Sequence, residues 1–184
     1  PWSTDLNDKD THYQQKNQWP KMTEERQDLL EQHLRLMYAG ATRYLDAILK
    51  ETWNEYDEEC WLDDTLVVVW SDHGEAFWEH GFQTHAYNLT GEESDGILFF
   101  WSKNIVPGEY DGPTSAIDLT PTLLDLYGLP MPKEVTGLPI GTAPADRPIF
   151  ASSISRLGAV QSVSNLGYKL QYFWKAPTFR LWDR

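Results

Sequence analysis

Residues 65–74, "TLVVVWSDHG", constrain the fold of this chain more than any other stretch. "TLVVVW" is β-branched and apolar at successive positions, so both faces of a strand would be greasy. That pattern belongs to a strand covered on both sides, as in a parallel sheet flanked by helices. The polarity then switches within one residue, from Trp70 to Ser71, Asp72, His73 and Gly74. In parallel α/β sheets ligands gather at the carboxyl ends of strands. A carboxylate and an imidazole therefore stand where such a fold does its chemistry.

The flanking segments fit the same class. Thr23 can cap a helix whose first turn holds Glu24 and Glu25, and apolar residues recur at Leu30, Leu34, Met37, Ala41, Tyr44 and Ile48. This predicts a helix over about residues 24–54. "NEYDEECWLDD" breaks the period with a run of acids and reads as a solvated loop. "GILFFW" (96–101) is a second buried strand. In "DLTPTLLDLYG", Thr120 as cap, Pro121 at the first helical position and Gly128 as the stop predict a short helix. A Pro/Gly-rich loop follows, then "IFASSIS" as a strand, "AVQSVSNLGYKLQYFW" as a hairpin turning near Asn165-Leu166-Gly167, and "TFRLWDR" as a last strand. Residues 1–22 read as an extended lead with a turn at Trp19-Pro20. The expected fold is α/β, with parallel central strands flanked by helices and a small antiparallel C-terminal sheet. The expected division is an α/β part over 1–148 and an antiparallel subdomain over 149–184.

Bulk properties remove whole classes of function. The 184 residues are 41% apolar and 23% charged, which suits a packed domain. A net charge of −13 makes phosphate backbones poor partners, so no nucleic-acid binding is expected. No apolar run is long enough to span a membrane. The single cysteine, Cys60, excludes an intrachain disulfide and reads as a passive thiol. The polar, aperiodic start at Pro1 reads as a cut inside a longer parent.

Asp72 suits hard cations such as Ca²⁺ or Mg²⁺, and His73 suits Zn²⁺ or Mn²⁺. Gly74 would let the backbone turn tightly beside such an ion. On spacing alone the pair reads equally as two ligands of a metal site or as a hydrogen-bonded pair closing a loop. Two adjacent ligands do not make a whole site.

"VVVWSDHGEAFWEHG" resembles the SDHGE…EHG signature of the sulfatases, within the alkaline phosphatase superfamily. "YAGATRYLDAILKETW…DDTLVVVWSDHGE" resembles that family's helix-then-strand lead-in. "AIDLTPTLLDLYGLPMP" resembles its D-[LI]-x-P-T-L-L-D-L-x-G-[LI]-P segment, and "GYKLQY…FRLWD" its closing strands. The matching pieces run from about residue 36 to 183 in the family's order.

The resemblance implies a partial alkaline-phosphatase-like fold and a metal-dependent sulfuric ester hydrolase. Asp72 would be a metal ligand, with His73 a ligand or its close neighbour. His85 falls where the family has Lys or His directed at the ester oxygens, and would stabilise charge or protonate the leaving oxygen. Glu75 and His80 would support these groups from behind, His80 equally by shaping the loop alone. Ca²⁺ is the first expected cofactor, with Mn²⁺ or Zn²⁺ as alternatives.

The implied substrate is a small anionic ester such as an aryl sulfate or sulfated sugar, and a parent that is periplasmic or extracellular fits. Sulfatases often have Asn where this chain has His73, which keeps phosphoester chemistry open: a phosphodiesterase, phosphonate hydrolase or phosphoethanolamine-type transferase. A non-catalytic module of the same fold is the reading from another class.

Two departures qualify this inheritance. "NLTGEE" carries one residue more than the family's L-Y-E-E. The C/S-x-P-x-R motif that supplies the formylglycine nucleophile does not occur in this sequence, since neither Cys60-Trp-Leu-Asp nor "TAPADR" matches it. The early Asp-Asp metal pair is absent too. These are expected in an N-terminal part preceding Pro1, so this chain alone should be inactive, with apolar sheet surface left open to self-association. His12 belongs to the lead, His33 to the predicted helix and Lys103 to a strand end, none within the motifs.

Overall fold

The computed structural model of the protein describes residues 19–155 and 158–183. Most of the expected extended lead, including His12, lies outside the described residues. The chain divides into two compact units. One comprises the chain up to Asp63 together with Phe77–Gln83, and the other comprises Asp64–Ala76 and the chain from Thr84 onward.

The first unit is built on helix α1, Glu24–Glu58. Thr23 stands at its N-cap with extended backbone, and Glu24 and Glu25 occupy the positive end of the dipole. The helix runs into the acidic stretch expected to be loop. Asn54 to Glu58 continue it, and the break comes at Cys60, whose φ is 61°. A short 3-10 turn, Trp61–Asp63, follows and buries Leu62 completely. Leu30 is the buried anchor of the apolar stripe, whereas Met37, Tyr44 and Ile48 are exposed. Aromatic contacts close the rest of the unit. Trp19 stacks on Trp78 at 3.7 Å and Tyr38 meets Phe77 edge-on at 5.4 Å. Arg35 lies 4.9 Å from the Phe77 ring and pairs with Glu79 at 2.7 Å.

In the second unit β1 (Val67–Trp70) is the strand expected from "TLVVVW". It pairs with β4 (Leu98–Trp101), but antiparallel, from Val67 opposite Trp101 to Trp70 opposite Leu98. The expectation of parallel central strands is therefore corrected for this pair. A parallel pair needs a crossover of a dozen residues or more, usually a helix, to return the chain to the starting edge. Between Trp70 and Leu98 the structure offers instead β2 (Ala76–Phe77), β3 (Gln83–Thr84) and the single-turn helix α2 (Gly91–Ser94). Nothing there crosses a sheet face, so the chain doubles back. β1 is also half-buried with Trp70 exposed, not covered on both faces.

Helix α3, Leu119–Leu126, begins earlier than Thr120 would have it. A 3-10 turn, Ala116–Asp118, leads into it through a capping box between Ser115 and Asp118. Its end matches expectation. Gly128 has φ 62°, its N–H donates to Asp125 O, and Leu129 N–H donates to Leu124 O at 2.8 Å, a Schellman closure.

The last part of the chain is a four-stranded antiparallel meander: β5 (Ile149–Ser155), β6 (Gly158–Asn165), β7 (Tyr168–Phe173) and β8 (Thr178–Asp183). Leu166 (φ 46°) and Gly167 (φ 85°) join β6 to β7, so both central residues are left-handed as a type I′ hairpin requires. One face of this sheet is buried, and between β6 and β7 it is mostly polar, with Val160 beside it. Ser162 and Ser164 on β6 stand opposite Gln171 and Lys169 on β7, and all four are buried. On the other face Phe150, Leu170 and Leu181 are exposed.

Candidate active site

The site grows out of the end of β1. Ser71 prolongs the ladder: its N–H donates to Ile97 O at 3.1 Å, and its Oγ accepts from Ile97 N–H at 2.9 Å. Three residues on, Gly74 N–H donates to Glu93 O at 3.0 Å. A Cβ on Gly74 would lie 2.2 Å from the Glu92 carbonyl oxygen. Close approach of two backbones is what requires glycine here, rather than the tight turn expected from the sequence. Asp72 and His73 are thus held between a main-chain bond to Ile97, just before β4, and one to Glu93 in α2.

Asp72 Oδ1 accepts the His73 N–H at 3.0 Å, and its carboxylate is largely exposed. The His73 ring is anchored at Nδ1, 2.7 Å from Gly74 O. A carbonyl can only accept, so Nδ1 carries the proton and the neutral ring keeps its lone pair on Nε2. That Nε2 stands 3.7 Å from Asp72 Oδ2. A lone pair 3.7 Å from a carboxylate oxygen leaves room for a cation held between them.

His85 joins the group from the next loop. Its ring lies 4.0 Å from that of His73, centroid to centroid. Its Nδ1 is 3.0 Å from Glu75 Oε2, and Thr84 Oγ1 is 3.4 Å away on the same nitrogen. Glu75 fixes the Nδ1–H tautomer by accepting that proton, which leaves the ring's lone pair on Nε2.

Asp72, His73, Glu75 and His85 are therefore one contiguous set. His80 is exposed, in the segment Phe77–Gln83 of the other unit. His33 is exposed on α1, and Lys103 is exposed after β4. Asp72 also lines a cleft of about 630 Å³ with Ser71, Arg147 and Lys169, in which neither His73 nor His85 takes part. Among the described residues no three His, Cys, Asp or Glu side chains converge as a metal cluster. The donor set present fits part of a divalent-cation site, one carboxylate and one imidazole.

Two buried carboxylates at motif positions make contacts that the motifs do not spell out. Glu93 is buried, and its Oε2 accepts the N–H groups of Tyr87, Asn88 and Leu89 at 2.9, 3.0 and 3.2 Å. The same residue's carbonyl holds Gly74, so Glu93 ties the Asp72 loop to the His85 loop. Asp118 is the second. Arg147 grips its carboxylate through two bonds of 2.7 and 2.8 Å, while Ser115 and Leu138 N–H groups donate at 2.9 Å each. Burial alone would raise this carboxyl, but Arg147 and the two N–H groups outweigh it and hold it below the ordinary range.

With this geometry established, comparison with known proteins decides the family. The family profile described as Sulfatase matches residues 9–129. The chain belongs to the sulfatase family. It is 34% identical over 95 residues to choline-sulfatase of Rhizobium meliloti, covering 52% of this chain and 18% of that protein. It is 30% identical over 120 residues to GPI ethanolamine phosphate transferase 2 of Saccharomyces cerevisiae, covering 54% of this chain and 14% of the relative.

Among solved structures, the phosphonate monoester hydrolase SpPMH of Silicibacter pomeroyi superposes with a TM-score of 0.69 at 26% identity, over 83% of this chain and 35% of that one. A protein solved with its substrate D-glucosamine-2-N,6-O-disulfate shares the fold at a TM-score of 0.61 and 20% identity, over 75% of this chain and 31% of that one. The chain thus spans about a fifth or less of the curated relatives described here, and about a third of each solved one. Members of this family generally use a divalent metal. No helix among the described residues is long and apolar enough to cross a membrane.

Proposed function

We propose that this chain is the C-terminal part of the catalytic domain of a metal-dependent sulfuric ester hydrolase. Asp72 and His73 supply part of the cation site, and His85 faces the ester group. The observation that carries this reading is the cluster of Glu75, His85, His73 and Asp72, with the two imidazole rings 4.0 Å apart. It presents two nitrogens whose tautomers are fixed from behind and one exposed carboxylate. Such groups can orient an anionic ester, hold charge and move a proton at His85 Nε2. A bound divalent cation, Ca²⁺ foremost and Mn²⁺ or Zn²⁺ as alternatives, would neutralise the ester's charge and activate the attacking group. The attacking group in this reading is a formylglycine contributed from outside these 184 residues. The substrate is a small anionic ester such as an aryl sulfate or a sulfated sugar.

Phosphoester chemistry is the second reading. His73 favours it where sulfatases often carry Asn, as do the similarities to a phosphonate monoester hydrolase and a phosphoethanolamine transferase. In either case residues 149–184 form an antiparallel subdomain appended to the α/β part over 1–148. The exposed row Phe150, Leu170 and Leu181 supports self-association.

The test is turnover of an aryl sulfate and an aryl phosphate by the purified chain and by a longer parent, each with Ca²⁺, Mn²⁺ or Zn²⁺. The chain alone should be inactive, and the parent should lose activity in both Asp72→Ala and His85→Ala. Turnover by the chain alone that vanishes in Asp72→Ala would place a nucleophile within it. A parent indifferent to both substitutions would remove these residues from the site.

A further inference from the structure

His85 sits in backbone that is costly to hold. Thr84 (φ 74°) and Ala86 (φ 71°) flank it and Leu89 (φ 54°) follows, all left-handed without being glycine. Such backbone persists only where its surroundings over-determine it. Here the N–H groups of residues 87–89 go to Glu93, and three carbonyls go to the C-terminal sheet. Ser153 Oγ donates to Ala86 O at 3.0 Å, Gln171 Nε2 to Asn88 O at 2.5 Å, and Lys169 Nζ to Leu89 O at 3.0 Å.

The side chains that do this are expensive ones to bury. Lys169 is 3% exposed and Gln171 is 0% exposed, while their neighbour Leu170 on the same strand is 39% exposed. A sheet serving only to pack would turn its apolar face inward. This one turns Lys, Gln and Ser inward, each onto the loop that follows His85. Trp182 completes the arrangement by donating to Gln171 Oε1 at 2.7 Å, which fixes the amide's orientation.

We propose that Lys169 and Gln171 on β7, with Ser153 on β5, are positioning residues for His85, clamping the 86–89 backbone so that the imidazole is presented with its Nδ1–H on Glu75. They act through the backbone of that loop, and Lys169 also donates to Ser94 Oγ at 2.5 Å and lies 3.7 Å from Asp95 Oδ1. The inference rests on the reading of His85 as the group that meets the ester. It makes the C-terminal sheet part of the catalytic apparatus rather than an appendage.

The experiment uses the 184-residue chain labelled with ¹⁵N-histidine, with His85→Gln assigning the signal. Long-range ¹H–¹⁵N spectra, taken about two pH units above the ordinary histidine pKa so that the ring is neutral, report its tautomer. The native chain should show the Nδ1–H form in roughly tenfold or greater excess, as expected for one bond to a carboxylate. A native His85 without that excess would sink the Glu75–His85 reading itself, and the positioning inference with it.

Given the native excess, Gln171→Leu, Lys169→Met and Ser153→Ala should each reduce it toward equal populations, with amide protection of the β6–β7 pairs retained. An unchanged excess in all three folded variants overturns the positioning role. Should Lys169→Met fail to fold, Ser153→Ala and Gln171→Leu decide the matter by the same criterion.

Discussion

Replacing Asp118 by Ala tests whether the Asp118–Arg147 pair organises the loops around α3. The carboxylate is 1% exposed and the Arg147 side chain 13% exposed. The substitution removes acceptors from both guanidinium nitrogens and from the Ser115 and Leu138 N–H groups. Breaking a buried ion pair from one side costs about 3–5 kcal/mol, because the partner charge stays behind unpaired. With a urea m-value of about 2 kcal/mol/M, a loss of about 4 kcal/mol lowers the midpoint by about 2 M. Urea titration by tryptophan fluorescence measures this, and hydrogen exchange at Leu138 reports the same loss locally.

A double-mutant cycle with Arg147→Met should return a coupling of about 2–3 kcal/mol. The pH dependence has a definite sign. Because the folded carboxyl is held low, its contribution is complete above the ordinary value of about 3.9 and is lost as pH falls through the lowered one. The stability gap between the native chain and Asp118→Asn should therefore narrow in acid. A coupling below about 1 kcal/mol, or a gap that widens in acid, would refute the assignment.

Glu93→Ala should cost about 3 kcal/mol, since three N–H groups lose their shared acceptor, and amide exchange at Tyr87, Asn88 and Leu89 should accelerate together. Gly74→Ala should cost about 3 kcal/mol by driving a methyl into the Glu92 carbonyl, measured by thermal melting. Leu166→Asn should gain about 1 kcal/mol by relieving a left-handed leucine in the β6–β7 turn, seen as a raised urea midpoint. Glu79→Ala should cost no more than about 1 kcal/mol despite its short bond to Arg35, because the Arg35 side chain is 45% exposed and water competes for the pair.

What could be read in advance was what depends on local periodicity and local turn chemistry. Helix α1 announced itself through apolar spacing and two glutamates at its start. The end of α3 followed from Gly128, and the β6–β7 turn from Asn165-Leu166-Gly167. The misreadings share a cause, which is that spatial neighbours are not written in a segment's own sequence. "TLVVVW" has the composition of a parallel strand, yet the chain between it and its partner contains no crossover element, and connection decides direction. The acidic stretch after Trp53 looked solvated and is, but solvation did not stop the helix from continuing to Glu58.

The candidate site divides the same way. Asp72, His73, Glu75 and His85 were legible because they lie within a short stretch whose motif carries its own spacing. Glu93 was visible only as a motif position, since a carboxylate accepting three backbone N–H groups leaves no signature in one dimension. The β7 strand goes further and inverts a rule. Alternation along "YKLQYF" would assign Leu170 to the core and Lys169 and Gln171 to water, because burying a lysine usually costs more than it returns. In the structure the polar residues are inside, since the inner surface they meet is another loop's unpaired carbonyls rather than a hydrocarbon layer. Binary patterning assumes that what lies under a strand is apolar. Where a strand instead supports a loop in left-handed backbone, the interior selects donors, and the residues that look most misplaced are those holding that loop.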